Sequence, residues 1–202
     1  MKAITTIRKL MEGSPAVIVA LGDSLTQGWL VNRGYLVFLC EMIKEKYPLA
    51  RFDIINRGIP GDTAEGGLLR VREDVIDEDP DCVFIQFALN DAFIGHPVER
   101  FKRSLQSIID RIRENTDAEI ILLTSVHLGE SRDNAIAAPF YAKIEELAAE
   151  NSLPIARVHE YWRRKILEGV DFRTLVQFDQ VHPTTEGYRL MAEAIMDVFI
   201  QN

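Results

Sequence analysis

Residues 16–21 read Ala-Val-Ile-Val-Ala-Leu, an unbroken, largely β-branched run that ends on Gly22. A strand with one wet face alternates apolar and polar residues. A run without alternation is a strand buried on both faces, and it needs helices above and below it. Similar short apolar segments recur at 52–56, 81–87, 119–124 and 154–158. Helical stretches are expected between them, at 33–46, 63–75, 98–114 and 135–151, with a last one at 184–200. The spacing is clearest in the third of these, where Phe101, Leu105, Ile108, Ile109 and Ile112 share one face. Asp62 or Thr63 is placed to cap the second, and Thr184 the last.

Strands alternating with helices predict parallel βαβ units, an α/β fold with helices on both faces of the sheet. At 202 residues and 47% hydrophobic, the chain can bury one sizeable core. No repeat, low-complexity segment or Gly/Ser/Pro linker divides it, so residues 1–202 are expected to form a single domain. The net charge of −8 argues against nucleic-acid and anionic-membrane partners, which require a basic face. Cys40 and Cys82 sit in apolar surroundings without a CxxC pair, and both are expected to be buried, reduced thiols. Lys2, Arg8, Lys9 and Glu12 interrupt the N-terminal segment, so no signal peptide or membrane span is expected, and the cytoplasm is the expected location.

In parallel sheets of this kind, ligands bind beyond the carboxyl ends of the strands. Three short segments follow such ends: Gly22-Asp23-Ser24-Leu25, Gly58-Ile59-Pro60-Gly61-Asp62-Thr63 and Ala88-Leu89-Asn90-Asp91. A fourth, Asp179-Gln180-Val181-His182, precedes the last helix. A serine just past a buried strand ordinarily caps a helix, and a lone hydroxyl is a poor nucleophile unless a base takes its proton. His182 supplies a base. Asp179, three residues earlier in a loop, can hold one ring nitrogen and leave the other facing outward. The oxyanion that acyl transfer creates needs N–H donors. Ser24 N–H, Gly61 N–H (no side chain obstructs approach there) and the Asn90 amide are candidates.

These four segments, in this order, resemble the conserved blocks of the SGNH (GDSL) hydrolase family and span Gly22 to Pro183. The resemblance implies a flavodoxin-like three-layer α/β/α sandwich with a five-stranded parallel sheet. It also implies hydrolysis of carboxylic esters, as in an esterase, lipase or acylhydrolase, with a small-molecule ester as substrate and no metal or organic cofactor. It places the nucleophile on Ser24, the base on His182 and the orienting acid on Asp179, with Ser24, Gly61 and Asn90 around the oxyanion. One departure is visible. Ala88 stands where the family carries glycine, and a positive φ there would strain it and alter the pocket.

The G-x-S-x-G elbow of the α/β-hydrolases is excluded, because Thr26 stands where its second glycine belongs. His96, His127, His159 and His182 are scattered without ligand spacing, and no phosphate-binding glycine motif is present. Trp29, Leu30, Phe93, Ile94 and Val181 flank the blocks as candidate acyl-pocket residues, and the segment 127–139 is a candidate border. The absence of a lid insertion points to short, acetyl-like acyl groups. A non-catalytic module binding an ester or glycan, and an acyltransferase using the same serine, are the alternatives that these residue types leave open.

Overall fold

The computed structural model describes residues 5–200; the Lys2 part of the N-terminal expectation lies outside them. The elements run α1 (Thr5–Glu12), β1 (Pro15–Gly22), α2 (Ser24–Gln27), α3 (Tyr35–Lys46), β2 (Arg51–Gly58), α4 (Ala64–Asp74) and a 3₁₀ turn at Ile76–Glu78. They continue through β3 (Cys82–Gln86), α5 (Leu89–Phe93), α6 (Val98–Asn115), β4 (Glu119–Leu123), α7 (Ser131–Glu150), β5 (Ile155–Ala156), α8 (Val158–Leu167), α9 (Phe172–Leu175) and α10 (Thr185–Ile200).

The sheet order is β2-β1-β3-β4-β5, with every pair parallel. This is the flavodoxin-like order, whose direction reverses between β1 and β3 and opens a crevice beyond their carboxyl ends. α3, α8 and α10 pack together on one face, while α4, α6 and α7 cover the other. β1 and β3 are buried on both faces, as their unbroken apolar runs require. Phe84 of β3 meets Phe199 of α10 edge to face, with ring centroids 6.2 Å apart.

Several expectations shift in detail. β5 is only two residues long, paired with Leu122 and Leu123, because Val158 already begins α8. α7 starts at Ser131 rather than near residue 135. The helices α1 and α8 lie outside the expected helical stretches. α1 is capped from far away: the Glu119 carboxylate accepts Thr6 N–H at 2.8 Å and the Thr6 hydroxyl at 2.7 Å. Cys82 is buried, whereas Cys40 is only half-buried on α3, so the expectation of two buried thiols holds for one; both are free. The caps fall as expected, with Thr63 Oγ1 accepting Gly66 N–H at 3.3 Å and Thr184 Oγ1 accepting Gly187 N–H at 3.2 Å. No helix among the described residues is long and apolar enough to cross a membrane.

Candidate active site

Strand β1 ends in a tight turn. Asp23 caps α2 by accepting Leu25 N–H at 2.9 Å, and this leaves Ser24 as the first helical residue. Its N–H has no intrahelical acceptor there. The end of β2 crosses close behind this turn. A Cβ on Gly58 would lie 2.2 Å from Gln27 N, so only glycine lets the two backbones approach.

Asp179 to His182 occupies the tip of a closed loop. Val176 and Pro183 form an antiparallel bridge at its base, and Gln177 N–H donates to His182 O at 2.8 Å. Gln180 takes a left-handed φ of +62° to make the bend. The bend turns Asp179 back on its own loop. One oxygen accepts the main-chain N–H groups of Val181 (3.0 Å) and His182 (2.9 Å), and the other lies 2.6 Å from His182 Nδ1. Burial pushes the Asp179 pKa up, but these hydrogen bonds outweigh it and hold the carboxyl below its usual range. His182 Nε2 lies 2.9 Å from Ser24 Oγ. Serine, histidine and aspartate thus form one continuous hydrogen-bonded chain across 158 residues of sequence separation.

Gly61 sits in the loop between β2 and α4 with φ +78°, a conformation that favours glycine, and with no atom within 4 Å of the place a Cβ would take. Asn90, at the start of α5, donates one amide N–H to Asp62 O at 2.8 Å, tying the third block to the second. The second amide hydrogen of Asn90 is not used by that bond. Ala88 has φ 161° and ψ −47°, outside the left-handed region, and is 1% exposed. The left-handed φ on which the expected strain depended is not adopted at this position.

Beneath the site lies a buried polar layer that short motifs do not reveal. Gln86 Nε2 donates to Ser125 Oγ at 2.9 Å and faces Asp23 Oδ2 at 3.4 Å, while its carbonyl accepts Thr26 Oγ1 at 2.8 Å. Burial raises the Asp23 pKa to about 7, against the opposing hydrogen bonds from Leu25 and Gln86. Asp91, also buried, accepts Ala64 N–H at the start of α4 at 3.0 Å and meets His96 Nδ1 at 3.1 Å. Gln177, also missed from sequence, donates from Nε2 to Trp29 O and to Pro183 O, both at 2.9 Å, and so joins the histidine loop to the serine loop.

Of the candidate pocket residues, Trp29 lies with its ring centroid 6.0 Å from that of His182. Leu30, Phe93 and Ile94 are exposed and Val181 is half-buried. Phe178, beside Asp179, is more exposed still. The segment 127–139 is drawn toward α9, where the His127 ring meets Phe172 edge-on at 6.5 Å. Among the described residues, Glu145, His159 and Glu160 bring metal-ligand atom types together. Arg157 already answers both carboxylates, at 3.0 and 3.9 Å, and Thr124 Oγ1 lies 2.8 Å from His159 Nδ1.

The chain is similar to the acetylxylan esterase of Geobacillus stearothermophilus, with 21% identity covering 91% of this chain and 94% of that one. It is also similar to Esterase TesA of Pseudomonas aeruginosa, with 24% identity covering 89% and 82%. A crystal structure of the Geobacillus enzyme, Axe2, superposes with a TM-score of 0.82 at 20% identity, over 91% of this chain and 94% of that one, and shows the same fold. The sequence profile of the GDSL-like lipase/acylhydrolase family matches residues 20–190, and the chain belongs to that family.

Proposed function

We propose that the protein hydrolyses carboxylic esters through an acyl-enzyme, with Ser24 as nucleophile, His182 as general base and acid, and Asp179 as the group that orients the ring. The observation carrying this reading is the unbroken chain from Ser24 Oγ to His182 Nε2 (2.9 Å) and from His182 Nδ1 to Asp179 (2.6 Å). Oγ attacks the ester carbonyl as Nε2 takes its proton. The tetrahedral oxyanion is held by Ser24 N–H, Gly61 N–H and the second Asn90 amide hydrogen. Collapse expels the alcohol, which takes the proton from His182. Water then attacks the acyl-serine with the same histidine as base, and the acid leaves. In support, structures of variants of the Geobacillus esterase at a serine, and at an aspartate and a histidine three residues apart, are described as catalytic mutants. Asp179 and His182 have the same spacing.

The acyl group favoured here is short and acetyl-like. The Trp29 ring lies 6.0 Å from the His182 ring, and the Geobacillus relative named above is an acetylxylan esterase. The test is turnover of aryl esters of increasing acyl length, together with acetylated sugars, by wild type and by Ser24→Ala. Undiminished turnover in Ser24→Ala sinks the nucleophile assignment, and a preference for long acyl chains sinks the short-acyl reading. A fluorophosphonate probe that fails to label folded wild-type protein would instead indicate a non-catalytic binding module. Product analysis with added alcohols separates hydrolysis from acyl transfer.

A further inference from the structure

Arg70 lies on α4, outside all four motif segments, with its side chain only 15% exposed. Four of its N–H groups donate hydrogen bonds, and Nη2 makes a further ion-pair contact with Asp62. Nε and Nη2 both reach Asp62 Oδ2, at 2.9 and 2.8 Å. Nη2 also donates to Gly22 O at 3.0 Å, and Nη1 donates to Arg57 O at 2.8 Å and to Asp74 Oδ2 at 2.6 Å. Three of these four partners belong to the site's framework. Gly22 O is the last carbonyl of β1, two residues before Ser24, and Arg57 O lies at the end of β2. Asp62 follows Gly61, and its own carbonyl holds Asn90.

We infer that Arg70 is a positioning residue that fixes the Gly61 loop, and through Asp62 the Asn90 amide, at a set distance from the Ser24 turn. This rests on the esterase reading above. The nucleophile and two of its three oxyanion donors come from separate strand ends, and oxyanion stabilisation depends on their separation being fixed before the charge develops. A planar guanidinium reaches several carbonyls and a carboxylate at once. An ammonium, a compact point charge with three donors, does not span the same set. Asp74 is different in kind, because it pairs with Arg70 from within α4 and meets the framework only at the Arg57 side chain, 3.9 Å away.

The experiment begins with wild type, which must label with a fluorophosphonate and lose turnover on Ser24→Ala. Failure there overturns the esterase reading rather than the role of Arg70. Given that result, folded Arg70→Met is expected to lose kcat by roughly 10- to 100-fold at nearly unchanged KM. Its affinity for a boronic acid, which forms a tetrahedral adduct on the serine, is expected to fall by a similar factor. Arg70→Lys recovers part of the loss and takes the place of Arg70→Met if the latter does not fold. Asp74→Asn is expected to lower Tm while keeping kcat. A folded Arg70→Met or Arg70→Lys with kcat within about twofold of wild type, or Asp74→Asn losing as much kcat as Arg70→Met, overturns the inference.

Discussion

His182 Nδ1 stands 2.6 Å from Asp179 Oδ2, while Asp179 Oδ1 takes the main-chain N–H of His182 at 2.9 Å. One carboxylate therefore fixes both the ring and the backbone of the same residue. It requires the proton on Nδ1 and leaves Nε2 free to accept from Ser24. Asp179→Asn keeps the backbone bonds but offers Nδ1 an amide. Steady-state kinetics are expected to show kcat reduced by roughly 10³- to 10⁴-fold, with an unchanged circular dichroism spectrum. A loss below about tenfold would mean that ring orientation is set elsewhere.

Gly58 and Gly61 stand three residues apart and have opposite requirements. A Cβ on Gly58 would strike the backbone of Gln27 and Thr26, at 2.2 and 2.7 Å, and neither can yield without moving the Ser24 turn. Gly58→Ala is expected to lower the urea midpoint markedly. Gly61→Ala meets open space and costs only the left-handed φ, about 1–2 kcal/mol. It should fold and still lose activity, because its methyl group intrudes where the oxyanion approaches.

Ala88 is buried, and its backbone lies outside the left-handed region. Ala88→Gly, the reversion to the family residue, should therefore not raise kcat. It should reduce stability by about 0.5–1 kcal/mol through backbone entropy alone, measurable by denaturant titration. A rise in kcat with no loss of stability would show that the alanine is strained after all.

Asp23 links stability to pH. Burial raises its folded pKa to about 7 from 3.8, so between these values the folded state holds a proton that the unfolded chain has released. Its contribution is fully present below about pH 4 and is lost as pH rises toward 7. The difference in unfolding free energy between wild type and Asp23→Asn is expected to shrink, or to change sign, across that window. A difference independent of pH would show that Asp23 is ionised throughout.

The Gln177 side chain holds both the Trp29 and Pro183 carbonyls. Gln177→Leu, close in volume, leaves both without their donor. A cost of about 1–3 kcal/mol in stability is expected, with a fall in kcat as His182 loses its register with Ser24. Wild-type kcat in a folded Gln177→Leu would mean that the histidine loop holds itself.

The layered architecture and the chemical groups of the site are legible in the amino-acid sequence. The runs at β1, β3 and β4 are apolar because both faces are covered, and the period of α6 is set by its single buried face, so each signal is written locally. Asp179 and His182 were legible for the same reason, since their contact closes within three residues. Tertiary structure decided what depends on atoms far apart in the chain. Glu119 caps α1 across 113 residues, Gln177 reaches Trp29 across 148, and Arg70 gathers Gly22, Arg57 and Asp62 onto one guanidinium. The backbone of Ala88 and the half-exposure of Cys40 were set in the same way, by where neighbouring elements came to rest. Hydrogen bonds and van der Waals contacts act over a few ångströms of space, whatever the separation along the chain, so no local pattern encodes these partners.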